Sequence, residues 1–208
     1  MIAIEPHPQL DAGCFVTRFT KPLGELTTPP SILDLLAEST DVPLSSSDDV
    51  RKATRDVLRH GGFKPTGRNK PASEYLIKAV QQDLLSSINV AVDVLNAVSL
   101  HSGLSISVVD LRKLTGSLRI TIAPEGSEYV FNPAGHVLKL DGLLCLFDEH
   151  GPCANAVKDS QRTKTDENTT ETLSIVWGTT SLEGRTQATV RWYQALLSEC
   201  GGSCESEL

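Results

Sequence analysis

Residues 88–110 read INVAVDVLNAVSLHSGLSISVVD, and the apolar period changes inside them. Val90, Val94, Leu95 and Val98 recur at helical spacing behind Asn89, a residue type that caps helix starts, and Gly103 stands where a helix stops. From Ser105 onward the period falls toward two, the spacing of a strand. Asp93, Asn96 and Ser99 interrupt the apolar run. Burying such groups is costly unless each finds a hydrogen-bond partner, so they mark either a surface helix or the wall of a site. Asp93 and Asn96, three residues apart, share one helix face.

Upstream of this stretch the patterns are mostly helical. CFVTRF (14–19) reads as a strand, and SILDLLAES (31–39) as a short helix after a Pro-rich turn. Ser46 and Asp49 have the capping-box spacing, and Val50, Ala53, Val57 and Leu58 carry a helix on to the HGG stop at 60–62. Pro65, Gly67 and Pro71 impose a loop before a helix that begins near Pro71 or Ala72 and buries Tyr75, Leu76 and Ala79.

Downstream the chain turns to strands. ISVVDL, SLRITIAP, EYVFNP, HVLKLDGLLCLFDEHG and TLSIVWGT are rich in β-branched and aromatic residues, with turn residues between them. Thr180 and Glu183 form a second capping box, which predicts a last helix running through TVRWYQALL. Helices in the first half and strands in the second indicate an α+β fold rather than a parallel βαβ array. The chain of 208 residues is read as one domain over 1–198, with 199–208 a disordered tail.

Composition narrows the function. No apolar run reaches the roughly 18 residues that a bilayer requires, so no membrane partner is expected. The N-terminus lacks the pattern of a signal peptide, and five cysteines, an odd number, suit a reducing compartment, so a cytoplasmic location is expected. Cys145, His150 and Cys153 share one loop, but three donors without a fourth read as incidental thiols, and neither a metal nor a cofactor is expected. The net charge of −7 argues against indiscriminate nucleic-acid binding. Residues 51–80 nevertheless carry eight basic and two acidic side chains, a balance of +6 that leaves −13 for the remainder. Arg68 and Lys70 sit in the loop before a helix N-terminus, where unpaired N–H groups and the helix dipole favour an anion. A solvated helix face is the bland reading of this segment, and Glu74 in the first turn then simply complements the dipole.

Signatures of nucleotide loops, nucleophile elbows and zinc proteases are missing from the sequence. Resemblance adds more. The run from Ala91 to Phe131 resembles the editing, or tRNA-binding (B3/B4), domain of the phenylalanyl-tRNA synthetase beta subunit, through Val92, Asp93, Asn96, Val98, Leu100, Gly103, Asp110, Glu125 and Gly126. Pro71, Ser73 and Glu74, together with Asp159, Ser160, Arg162, Thr163 and Thr169 or Thr170, resemble elements of freestanding bacterial relatives of that domain. The likeness spans roughly residues 50–178.

The resemblance implies a three-layer α+β domain containing a β-sandwich of unusual topology. It also implies hydrolysis, in trans, of the ester of a mischarged aminoacyl-tRNA. A hydroxyl alone changes affinity little in an apolar pocket, so a second site has to read it and destroy the wrong product. The partners so implied are tRNA or aminoacyl-tRNA and a small amino-acid-like ligand. Asn96 matches the family's pocket asparagine, whereas Ser107 stands where the synthetase domain carries a His, so substrate choice is expected to differ. The expected catalytic residues are Asn96, Ser107 and Asp159, with Asp159 orienting water or binding the substrate ammonium. Asp93, Thr163, Arg162 and Glu74 are expected to bind substrate, and Arg68, Lys70, Arg55 and Arg59 to bind tRNA. The alternative is a non-catalytic module that keeps the fold to bind tRNA, an amino acid or a protein.

Overall fold

A computed structural model describes residues 2–36 and 42–205. Its strands are β1 (Ile2–Ile4), β2 (Leu10–Phe19), β3 (Ser105–Asp110), β4 (Leu118–Ile122), β5 (Glu128–Val130), β6 (Val137–Lys139), β7 (Leu144–Asp148), β8 (Gly151–Asn155), β9 (Glu171–Thr179) and β10 (Gly202–Glu205). The helices are α1 (Pro30–Asp34), α2 (Asp48–Arg59), α3 (Ala72–Gln81), α4 (Val90–Ser102) and α5 (Arg185–Glu199). The fold is α+β, as the sequence pattern indicated.

There are two four-stranded sheets, in the orders β1-β4-β7-β8 and β10-β2-β9-β3, and a separate β5–β6 hairpin between β4 and β7 in the chain. Alternation along the strands divides the core in two. Val16, Val109, Leu173, Ile175 and Trp177 of the second sheet pack with Ile120, Leu144, Leu146, Cys153 and Ala154 of the first. On the opposite face of the second sheet, Phe15, Ile106, Val108 and Val176 pack with Val94 and Val98 of α4 and Tyr193 and Leu197 of α5. The change of period at Gly103 thus separates a helix from the strand it lies on.

Helix α4 is capped as its sequence predicts: Asn89 Oδ1 accepts from Val92 N at 3.1 Å, and Gly103 adopts a φ of 71°. It is buried along its whole length, however, and its polar side chains serve the neighbouring loops. The Asp93 carboxylate accepts from Thr28 Oγ1 at 2.5 Å, Ser87 Oγ at 2.6 Å and Ile88 N at 2.9 Å. Ser99 Oγ donates to Leu104 O at 2.7 Å across the turn into β3.

Other boundaries shift by a few residues. Ser47, not Ser46, caps α2, its Oγ accepting from Val50 N at 3.3 Å. Helix α5 begins after Gly184, at a φ of 70°, rather than at Thr180. Helix α3 encloses only Ser73 fully, leaving Tyr75, Leu76 and Ala79 half-buried. Of the short helix expected over 31–39, α1 accounts for the beginning, while 37–39 lie outside the described residues. The expected disordered tail needs the largest correction: Gly202–Glu205 form β10, antiparallel to β2 in the register Gly202 to Phe19 through Glu205 to Val16. Residues 206–208 lie outside the described residues.

Candidate functional site

Strand β3 lies at the edge of its sheet, and β8 and the turn after it come up against that edge. Ser107 Oγ points away from α4, toward β8. It lies 2.7 Å from Asp159 Oδ1 and 3.2 Å from Asn155 O, and it accepts from Trp177 Nε1 at 2.9 Å. Asn155 N donates to the same Asp159 oxygen at 3.1 Å. The Asn155 side chain fixes the turn that carries Asp159. Its Oδ1 accepts from Val157 N at 2.8 Å and from Lys158 N at 3.0 Å, and its Nδ2 donates to Tyr129 OH. Tyr129 OH in turn donates to Lys158 O at 2.5 Å.

Asp159 is half-buried: much of its carboxyl is packed among protein atoms while part of the residue reaches the surface. Burial pushes this group up to about 7, against the lowering effects of the Ser107 hydroxyl, the Asn155 N–H, the Lys164 ammonium and the Val108 N–H. A carboxyl poised near neutrality changes charge in the range where general bases work.

One cation, Lys164, interacts with this acid, and others lie on the neighbouring loops. Lys158 Nζ lies 4.4 Å from the centre of the Phe131 ring and 5.6 Å from that of Tyr75, and it donates to Arg68 O at 3.2 Å. Lys164 Nζ donates to Phe131 O at 2.6 Å and interacts electrostatically with Asp159. Burial, and for Lys158 also the nearby Arg68, lowers the pKa of both lysines. Among the described residues, Arg68, Lys70, Lys158 and Lys164 form no ion pair with a carboxylate. They leave positive charge available to an anion.

The other expected site residues are placed elsewhere or already engaged. Asn96 lies on the buried helix α4 with 7% exposure and, among the described residues, makes no side-chain hydrogen bond, so it stands outside the Ser107–Asp159 network. Asp93 is held by three donors, and the residues that supply them, Thr28, Ser87 and Ile88, all line a cavity of about 430 Å³. Glu74 and Arg55 hold each other in a bidentate pair at 2.5 and 2.6 Å. Arg59 pairs with Asp56 at 2.5 Å.

Arg162 grips Asp148 at 2.8 and 2.9 Å, and Thr163 Oγ1, without exposure, donates to Cys153 O at 2.9 Å. These two pin the loop after β8 and are not free to meet a ligand. Ser107 is also without exposure to solvent. Among the described residues no group of three or more His, Cys, Asp or Glu is placed to hold a metal ion.

Sequence reasoning missed Trp177, Asn155, Tyr129, Lys158 and Lys164. Tyr129 and Trp177 sat in strands already recognised. The polar end of a buried aromatic was the available signal, because an indole or phenol in a core needs a partner.

This is an α+β domain in which a largely buried acid, Asp159, interacts with the Lys164 ammonium. The chain belongs to the B3/4 domain family, whose model matches residues 63–195. It is similar to a phenylalanine–tRNA ligase beta subunit from Bradyrhizobium diazoefficiens, with 32% identity over 114 residues. That alignment takes in 53% of this chain and only 14% of the ligase subunit. A crystal structure of an N-terminal fragment of the phenylalanyl-tRNA synthetase beta subunit from Pyrococcus horikoshii aligns with a TM-score of 0.49 at 10% identity, covering 98% of this chain and 52% of that one. Among the described residues, no helix is long and apolar enough to cross a membrane.

Proposed function

We propose that this chain binds the aminoacylated end of a tRNA and hydrolyses its ester in trans, with Asp159 as the group that activates water. Membership of the B3/4 family supports a partner related to tRNA charging. One observation carries the rest: a carboxyl held at about 7 interacts with the Lys164 ammonium, and Lys158, next in the chain, reaches to Arg68. These cations suit the phosphates of a nucleic-acid end, and a positive rim offsets at short range the net charge of −7.

Above its pKa, Asp159 takes a proton from water as the water oxygen bonds to the ester carbonyl carbon. The tetrahedral intermediate collapses with cleavage of the bond to the ribose oxygen, to which Asp159 returns the proton, releasing free amino acid and uncharged tRNA. Burial helps, because a partly desolvated carboxylate is a stronger base, and holding the water close to the carbonyl removes much of the entropic barrier.

The test is a deacylation assay of the purified chain against a panel of mischarged tRNAs. Hydrolysis of at least one is expected, falling about 100-fold or more in Asp159→Asn. Arg68→Ala and Lys158→Ala are expected to raise KM with little change in kcat. Release at the spontaneous rate across the panel overturns the reading. A binding module without turnover is the second reading, favoured by the internal pairing of Arg55, Arg59 and Arg162. It predicts tRNA retention that Arg68→Ala weakens and no release of amino acid.

A further inference from the structure

Behind Asp159 runs a line of hydrogen bonds that the hydrolytic step leaves unused. Trp177, 2% exposed, donates from Nε1 to Ser107 Oγ at 2.9 Å, and Ser107 has two acceptors in reach, Asp159 Oδ1 at 2.7 Å and Asn155 O at 3.2 Å. An indole nitrogen only donates, so the Ser107 oxygen must receive from Trp177 and has a single proton to give to one of two oxygens. We propose that Trp177 and Ser107 are positioning residues that set the protonation state of Asp159 through this choice. When the carboxylate is ionised, the Ser107 proton points to Asp159. When the carboxyl is protonated on Oδ1, that proton is donated to Ser107, whose own proton turns to Asn155 O.

The proposal rests on the assignment of Asp159 as the base, and it adds two residues that never meet substrate. The titratable groups that interact electrostatically with Asp159 are Lys164, Tyr129 on β5, Cys145 on β7, Cys153 on β8 and, from across the sheet, Tyr193 on α5. Burial raises the pKa of both tyrosines and both thiols, so they stay neutral through the range in which Asp159 titrates. Lys164 alone adds charge. Asn155 is also the residue whose side chain holds the Lys158 N–H and Tyr129, so the line that begins in the core ends at the cationic rim.

The indole ¹H–¹⁵N resonance of Trp177 in the full chain tests this directly, told apart from Trp192 by the variant Trp192→Phe. Between roughly pH 5 and 9 it is expected to shift with a midpoint near 7, and the shift is expected to vanish in Asp159→Asn. In Ser107→Ala, a small change that leaves the core packing in place, the Asp159 carboxyl ¹³C midpoint is expected to rise by about one pH unit, the worth of one hydrogen bond to a carboxylate. An indole resonance that stays still, or one that moves equally in Asp159→Asn, overturns the proposal. So does an unchanged carboxyl midpoint in folded Ser107→Ala. None of these readings needs tRNA, so failure of the deacylation assay and failure of the relay are seen separately. If hydrolysis is found, the acidic limb of its rate profile is expected to move upward with the carboxyl midpoint in Ser107→Ala.

Discussion

Asp159 ties stability to pH in a direction opposite to that of most carboxyls. Its folded value of about 7 lies above the usual 3.8, so the folded chain holds a proton that the unfolded chain has already released. The stability this contributes is complete below about pH 4 and is lost as pH rises through 7, a change of about 4 kcal/mol at most. Denaturant unfolding of the wild type and Asp159→Asn over that range is expected to show the wild type losing stability relative to the variant as pH rises. A constant difference would mean the carboxyl is ionised when folded at both ends. Asp159 was legible in the sequence because it falls in a recognisable element of the family. Its contacts were not: the Ser107 hydroxyl reaches it across 52 residues of chain, the Trp177 indole reaches Ser107 across 70, and the Asn155 contact comes from a turn with no recognisable sequence signal. Asn96 shows the converse: its position on the motif was plain, but periodicity does not say what a buried amide faces.

At the scale of elements, the junction between α4 and β3 bears the most weight. Gly103 takes a left-handed φ of 71°, and a Cβ there would lie 2.8 Å from Ser46 Oγ and 2.9 Å from Val50 Cγ1. Arg185 of α5 closes the same end, donating from Nε to Ser102 O at 3.0 Å and from Nη2 at 2.6 Å. Gly103→Ala combines backbone strain with a steric conflict and is expected to cost about 2 kcal/mol or more, measurable as a lower denaturation midpoint. The caps of α2 and α4 rest on local hydrogen bonds, so their sequence signals were readable to within a residue. The start of α5 was not: Thr180 and Glu183 make a convincing capping box, yet Thr179 Oγ1 binds Ser181 N at 3.4 Å and the turn runs on to Gly184. Strand β8, with Gly151 and Pro152 at its head, has the composition of a loop and becomes a strand because β7 offers it a partner.

For the whole molecule, the sheet that supports both core layers draws its strands from residues 10–19, 105–110, 171–179 and 202–205. Strand β10 covers β2 along four register positions, and its four residues read as a polar tail when seen alone. Deleting residues 200–208 uncovers that side of β2 and exposes Thr17, which has no exposure in the intact chain. The truncated chain is expected to unfold at lower denaturant and to self-associate as concentration rises, seen as a growing sedimentation coefficient. A truncated chain as stable and as monodisperse as the intact one would show β10 to be dispensable. The same arrangement bears on birth as well as on endurance. A ribosome feeding this polypeptide out from its beginning offers β2 no hydrogen-bonded neighbour until β9 has emerged, more than 150 residues later, and the last neighbour arrives only with residue 205. Strand β2 therefore waits while more than 150 further residues are added, a period in which a holding chaperone has a physical reason to be there.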